Sequence, residues 1–173
     1  FAWFKSTKSK SRINFIELLR NGHKDYVVNG TALEYMKRQK LPGYQLNKFT
    51  SQIFTTQRKW RTFLFRHGIR KKHHKRIATE GALIGSLIHH GWNKDLAIVS
   101  DDAGQFNIMV HALCWVHAER TIQKLFGFTP DHREQIQSVR SEIWDLYSDL
   151  KDYQQNPTNE LKAELSDRFD SIF

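Results

Sequence analysis

The segment DLAIVSDDAGQFNIMVHALCWVHAER, residues 95–120, joins an apolar run to two adjacent acids and then to a cysteine and a histidine. The continuous apolar run LAIVS predicts a strand that is buried on both faces of a sheet. Asp101 and Asp102 follow directly, at the strand end where open α/β folds place their ligands. Carboxylates in this position can bind Mg²⁺, but an acidic pair there is also typical of a helix N-cap or a turn.

Cys114 and His117 have the Cys-x-x-His spacing of half a zinc site. The chain has a single cysteine, so further zinc ligands would have to come from histidines: His73, His74, His89, His90 and His111. The alternative is a buried thiol beside a hydrogen-bonded imidazole, and we favour it over zinc binding. A single cysteine also excludes an internal disulfide and indicates a cytoplasmic protein.

Strands and helices alternate on the N-terminal side of this segment. We predict a strand for FAWFKST, a helix for RINFIELLRNG between Ser11 and Gly22, a strand for DYVVNG and a helix for TALEYMKRQ. Helices are also predicted for residues 57–67 and for ATEGALIGSLIHHGW, which we expect Thr79 to cap and Gly91 to end. This order predicts an α/β fold, with helices covering a mixed sheet.

The C-terminal side is helical. HALCWVHAERTIQKLFG predicts a short strand or turn that passes into a helix with Ile122, Leu125 and Phe126 on its apolar face. Beyond Thr129 and Pro130, apolar residues recur in heptads at Ile136, Val139, Ile143, Leu146, Leu150 and Tyr153. We therefore predict two domains, residues 1–128 and 129–173, the second a helical hairpin of helices 130–155 and 158–173.

The charge of the chain is unevenly distributed, and its net value is +9. Residues 1–76 carry 19 Lys and Arg and 3 acids, whereas residues 77–173 carry 8 and 15. This asymmetry predicts a polyanionic partner, with nucleic acid as the obvious class. No apolar run approaches the roughly twenty residues of a membrane span, so we expect a soluble protein that does not enter a membrane.

The basic run HGIRKKHHKR, predicted to be a surface loop, follows a stretch of interleaved aromatic and basic residues. Its cations can neutralise phosphates, and aromatic rings between cations can stack on bases. The predicted DNA-binding residues are Arg70, Lys71, Lys72, Lys75, Arg76 and Trp60. The alternative is that Trp60, Phe63 and Leu64 belong to the core and that the charges form a solvated face.

The chain resembles the Asp-Asp-Glu transposases of bacterial insertion sequences and their Mutator-like relatives. The resemblance is carried by FAWFKSTKSKSRINFIELLRNGHKDYVVN, RIATEGALIGSLIHHG, LAIVSDDAGQFNIMVHALCWVHAER and IWDLYSDLKDY. It extends over nearly the whole chain, and residues 101–117 are its most specific part. It implies a partial ribonuclease H-like core followed by an all-helical insertion, DNA as the partner, Mg²⁺ or Mn²⁺ as the cofactor, and a bacterial cytoplasmic location.

The resemblance also assigns residues. Asp101 matches the second catalytic acid, a metal ligand, with Asp102 as the alternative, whereas Cys114 and His117 match a pair that maintains the local fold. It implies that the first catalytic Asp precedes Phe1 and that the catalytic Glu follows Phe173. Because the chain also begins without Met, we expect a central fragment of a transposase, inactive alone.

In the complete protein the implied activity is metal-dependent DNA cleavage and strand transfer. Two alternatives stay open: a non-catalytic DNA-binding remnant of a transposase, and a structural zinc-binding module. Self-association is also left open, because the heptads of the helical hairpin are typical both of simple helix packing and of assembly.

Overall fold

The computed structural model describes residues 9–173, so the predicted strand FAWFKST lies outside the described residues. Those residues form a mixed α/β structure, mostly helical, with eight helices and two sheets of two strands each. The chain divides into two compact units, Phe1–Ala112 and Leu113–Phe173. This division precedes the boundary that the sequence suggested after residue 128.

The first unit contains most of the short elements. In chain order they are α1 (Arg12–Leu19), β1 (Tyr26–Val28), α2 (Gly30–Arg38), α3 (Gly43–Leu46), β2 (Gln52–Phe54), α4 (Gln57–Arg66), α5 (Lys72–His89), β3 (Ala97–Ser100) and β4 (Val110–Leu113). The side chains of Ser11, Asn29 and Thr56 cap the N-termini of α1, α2 and α4. The predicted elements α1, β1, α2 and α4 are thereby confirmed.

The strands pair in two separate sheets. β1 runs antiparallel to β2, with Tyr26 opposite Phe54 and Val28 opposite Gln52. β3 pairs with β4. Within residues 9–173, the expected mixed sheet is therefore replaced by two strand pairs.

Helix α5 is the centre of the first unit and packs against α1, α2 and β1. Its buried positions include Ile77, Ala78, Leu83, Ile84 and Leu87. A Cβ atom at Gly85 would overlap the carbonyl oxygen of Val27 in β1, so the missing side chain allows the helix to lie directly on the strand.

The start of α5 corrects two predictions. The helix begins at Lys72, so the second half of the basic run HGIRKKHHKR is helical and is not a loop. Thr79 lies inside the helix and does not cap it; its hydroxyl oxygen instead accepts a hydrogen bond from Nε1 of Trp60 at 3.1 Å. The predicted end is confirmed, because α5 stops at His89 and Gly91 has a φ of +85°.

The prediction that β3 is buried on both faces is wrong for the part of the chain that the structure describes. Its residues alternate between exposed and half-buried, and the side chain of Val99 is 67% exposed. The reason is that β4 is its one described neighbour, so no third strand or covering helix removes its outer face from solvent.

The second unit contains α6 (Trp115–Gln123), α7 (Pro130–Gln155) and α8 (Asn159–Ile172). The predicted hairpin is confirmed: α7 packs on α8 and buries Ile143, Leu146 and Leu165 along the heptad positions. Helix α6 also packs on α7, and Glu119 accepts a 2.6 Å hydrogen bond from Arg140.

The end of α6 corrects another prediction. Because the helix stops at Gln123, Leu125 and Phe126 lie beyond it and are exposed instead of forming its apolar face.

In residues 9–173, no helix combines the length and the apolar character that crossing a membrane requires.

Candidate nucleic-acid interface

Five of the predicted DNA-binding residues lie together at the start of α5. Arg70 and Lys71 precede the helix, and Lys72, Lys75 and Arg76 occupy its first turns. All five side chains are exposed. Residues three and four apart share one face of a helix, so Lys72, Lys75 and Arg76 present their charges in the same direction.

A cavity of about 690 Å³ opens beside this basic face. Lys72, Lys75 and Arg76 line one side of it, and Arg61 of α4 adds a fourth cation. The remaining lining includes the apolar or aromatic side chains Ile13, Tyr26 and Trp60, together with the acid Glu17. Four cations thus lie together beside a cavity that also has apolar lining, a combination that suits a phosphate-bearing ligand.

Trp60, predicted to stack on bases, lies in the core, where its ring has little exposed surface for stacking. Trp60 is 1% exposed and stacks on Tyr26, with 5.6 Å between the ring centroids. Its Nε1 already donates to Thr79. The alternative interpretation is confirmed for Trp60 and Leu64, which are buried in the core, and Phe63 is half-buried and packs against it.

Phe65 is the exposed aromatic ring of α4. It is 63% exposed, and the guanidinium carbon of Arg70 lies 4.9 Å from the ring centroid. The sequence contains the signal for this assignment, because helical spacing places positions 60 and 64 on one face of α4 and position 65 on another. Phe65 is thus available for stacking, as Trp60 is not.

Glu80 lies in the centre of α5 and is 2% exposed. Its carboxylate accepts a 2.7 Å hydrogen bond from the Tyr35 hydroxyl, and it lies 3.5 Å from Nη1 of Arg12 and 3.9 Å from Nε of Arg76. Burial, followed by the hydrogen bond and the charge of Glu80, raises the pKa of Tyr35. Glu80 therefore pairs with Arg12 and with Arg76 of the basic face, and the signal for this role in the sequence was a single acid within the apolar run ATEGALIGSL.

Asp101 and Asp102 lie directly after β3, and both are exposed. Oδ1 of Asp101 accepts a hydrogen bond from the backbone N–H of Ala103 at 3.2 Å. This is the geometry of a turn, which the sequence left open as the alternative to metal binding for this acidic pair. Ser100 donates to the carbonyl oxygen of Asp101 at 2.7 Å. Among the described residues, the second carboxylate oxygen of Asp101 has no hydrogen-bond partner, so its chemistry fits a Mg²⁺ ion that keeps most of its waters.

Cys114 and His117 belong to the second unit. Cys114 is the N-cap residue of α6, and its carbonyl oxygen accepts from the backbone N–H of His117 at 3.0 Å. A hydrogen bond from the His117 side chain, reinforced by backbone N–H groups, lowers the pKa of the Cys114 thiol. The pair thus closes the first turn of α6.

Across residues 9–173, the one group of three or more side chains placed to share a metal ion is His23, Asp25 and His90. Neither Cys114 nor His117 belongs to it. Of the histidines suggested as partners for the cysteine, His90 is bonded to Asp25 instead. Another, His74, is buried in the first turn of α5, where burial and then the charges of Lys71 and His73 lower its pKa.

No family model and no solved structure matches the chain. A protein of Sinorhizobium fredii (strain NBRC 101917 / NGR234), described as uncharacterized protein y4jO, is 39% identical to it over 178 residues. The match covers 100% of this chain and 56% of that protein, so the chain spans little more than half the length of its relative.

Proposed function

We propose that this chain is the central part of a DNA transposase of the Asp-Asp-Glu type, with a partial ribonuclease H-like core and a helical insertion. The observation that carries the proposal is the group of cations at the start of α5, beside a cavity of about 690 Å³. Lys72, Lys75 and Arg76 are exposed there on one helical face, and Arg61 faces them from α4. The acids Asp101 and Asp102, which follow strand β3, are the candidate ligands for the metal ion that the reaction requires.

In this proposal the basic face binds the DNA backbone. Each Lys or Arg that contacts a phosphate releases a condensed counterion, so the affinity is largely independent of sequence and falls with salt. Phe65 lies at the edge of this face and can stack on an unpaired base at a transposon end. Glu80 holds Arg76 in place from inside the helix.

Asp101 has the role of a metal ligand in the proposal. When bound in the complete active site, Mg²⁺ or Mn²⁺ activates a water or a 3′-hydroxyl and stabilises the leaving oxygen of a phosphodiester. Asp101 would hold the ion through the oxygen that the turn leaves available, while Ala103 fixes the other oxygen. The resemblance assigns the remaining two carboxylates to segments outside this chain, so these residues alone are not expected to cleave DNA.

A DNA-binding remnant without catalysis is the second candidate function. The hydrogen bond between Asp101 and Ala103 favours it, because a carboxylate that serves the turn has a structural reason to be there. Both candidates share the basic face and differ in whether Asp101 binds a divalent ion.

The basic face is tested by measuring DNA binding of the chain as fluorescence anisotropy over a range of salt concentrations. The double variant Lys72→Ala/Lys75→Ala should weaken binding to any duplex and reduce the slope of log affinity against log salt by about 2. Lys37→Ala/Lys94→Ala removes the same charge from exposed lysines outside the cavity lining. Equal affinities and slopes for the two double variants would refute the assignment of this face.

The role of Asp101 is tested by adding Mn²⁺ to the isotope-labelled chain and following its backbone amides by NMR. Selective broadening of residues 101–103, absent in Asp101→Asn and retained in Asp95→Asn, supports the transposase assignment. DNA binding without this broadening supports the non-catalytic remnant.

A further inference from the structure

His23, Asp25 and His90 form a cluster on the opposite end of α5 from the basic face. Each contributes one potential ligand atom, and the three atoms all lie within 4.8 Å of one another. Nε2 of His90 lies 3.0 Å and 3.2 Å from the two carboxylate oxygens of Asp25. The rings of His23 and His90 are nearly parallel, with 3.6 Å between their centroids.

The backbone produces this cluster from two distant parts of the sequence. Asn21 and Gly22 both have positive φ angles, and this reversal after α1 places His23 and Asp25 immediately before β1. His90 is the C-cap residue of α5. The negative end of an 18-residue helix therefore points at the cluster, which favours a cation there.

A surrounding set of side chains fixes the carboxylate. Ser86 donates to Oδ1 of Asp25 at 3.0 Å, and Nε of Arg20 donates to the Ser86 hydroxyl at 3.3 Å. Arg20 is 4% exposed and also donates to the backbone carbonyl oxygen of Asp25. These contacts hold Oδ1 and leave Oδ2 directed toward His90, as hydrogen-bond partners do for the carboxylates that bind metal ions in proteins.

We propose that His23, Asp25 and His90 bind a zinc ion, with water as a fourth ligand. Two imidazoles and one carboxylate are a typical ligand set for Zn²⁺, and three protein ligands leave one position open. Ligand atoms around a tetrahedral zinc lie roughly 3.3 Å apart, given bond lengths of about 2.0 Å. The exposed imidazole of His23 and the helix-end imidazole of His90 can close the remaining distance by side-chain rotation.

The ion would fasten the turn after α1 to the C-terminal end of α5. The guanidinium of Arg20, 3.6 Å from Oδ1 of Asp25, opposes a cation, whereas the carboxylate and the helix end favour it. This site is independent of the DNA-binding face, because none of its three ligands lines the basic cavity.

Zinc binding is measured by titrating the chain against a chromogenic chelator, with Co²⁺ absorption as a second readout of tetrahedral coordination. We expect one zinc ion per chain, and affinity losses of about tenfold or more in His23→Ala and Asp25→Asn. His132→Ala, an exposed histidine outside the cluster, and Cys114→Ser should leave the affinity unchanged.

His23→Ala is the decisive variant, because the ring is exposed and its loss spares the contacts among Asp25, Ser86 and Arg20. Thermal unfolding without metal establishes that each variant is folded. The proposal is overturned if the wild-type chain shows no zinc uptake, if His23→Ala binds zinc like the wild type, or if Cys114→Ser abolishes binding.

Discussion

The hydroxyl of Tyr35 donates a hydrogen bond to Oε2 of Glu80 at 2.7 Å, in a region where the two residues are 4% and 2% exposed. Arg12 adds a donor to the same Tyr35 oxygen at 3.1 Å and lies 3.5 Å from the Glu80 carboxylate. A buried carboxylate is tolerated only when it is paired and hydrogen-bonded. This contact connects α1, α2 and α5 in the core of the first unit.

Tyr35→Phe is expected to destabilise the chain by about 1.5–3 kcal/mol, because it removes a hydrogen bond to a buried charge and leaves the ring in place. The measurement is the free energy of unfolding from urea denaturation. Tyr44→Phe is the matched control: that ring is 61% exposed, and a change below about 0.5 kcal/mol is expected. Equal stabilities for the two variants would contradict a role for the Tyr35 hydroxyl.

Gly85→Ala is expected to destabilise the chain although alanine is the better helix former. The substitution gains about 1 kcal/mol in helix propensity. The added Cβ would overlap the Val27 carbonyl oxygen and lie 3.0 Å from Oδ1 of Asn29, and backbone cannot yield as a flexible side chain can. We therefore expect a net loss of about 1–3 kcal/mol or more from overpacking.

Gly30→Ala is the control for this close approach. Gly30 is the first residue of α2, and a Cβ there would meet no atom within 4 Å. Its free energy of unfolding should stay constant or rise slightly, measured in the same urea titration. If Gly85→Ala had the same free energy of unfolding as the wild type, α5 and β1 could move apart without loss of stability, which would contradict the importance of this close approach.

Local signals account for the elements that the sequence predicts well. Ser11, Asn29 and Thr56 cap helices whose apolar residues recur at helical spacing, so the start of α1, α2 and α4 is encoded within a few residues. The hairpin of α7 and α8 follows in the same way from its heptads. These elements need no knowledge of the rest of the chain.

The predicted and observed structures differ at elements whose conformation or burial depends on neighbours distant in the sequence. A run of Lys and His looks like a loop by composition, yet the first turns of α5 contain it, with Lys72, Lys75 and Arg76 exposed to solvent. LAIVS is apolar enough for a buried strand, but burial depends on neighbours that a strand's own sequence does not specify. Trp60 lies among basic residues in the sequence and still faces the core, because α4 is amphipathic.

The candidate sites show the same limit. The basic face could be predicted from charge alone, whereas His90 meets His23 and Asp25 only through the fold. No local pattern marks residues that lie 65 positions apart along the chain, the separation between Asp25 and His90. The sequence therefore offered His90 as one candidate ligand among five histidines, but it could not place it beside His23 and Asp25.

Asp25 should make the stability of the chain depend on pH under acidic conditions. Burial raises its pKa, but hydrogen bonds from His90 and Ser86 outweigh burial and lower the pKa below its ordinary value of 3.8. A depressed pKa in the folded state means that the ionised carboxylate stabilises the fold above the unfolded pKa. This contribution is lost as the pH falls through the lower, folded value.

We therefore expect the wild-type chain to lose stability below about pH 4 more steeply than Asp25→Asn, which lacks the titrating group. The measurement is the urea midpoint at a series of pH values, with a chelator present so that bound metal does not contribute. Asp102→Asn, which removes an exposed acid, should keep the wild-type slope. Parallel profiles for the wild type and Asp25→Asn would argue against this linkage.

The Cys114 thiol should react faster than an ordinary cysteine near neutral pH. The hydrogen bond from His117, with backbone N–H groups at the start of α6, lowers the pKa of the thiol and so increases its thiolate fraction. His117→Ala should raise the pKa again and slow alkylation by iodoacetamide, shifting the pH–rate profile toward higher pH. His132→Ala, which changes a histidine at the start of α7, should leave the profile unchanged. If His117→Ala and the wild type share one profile, the thiol owes its reactivity to the helix start and not to the imidazole.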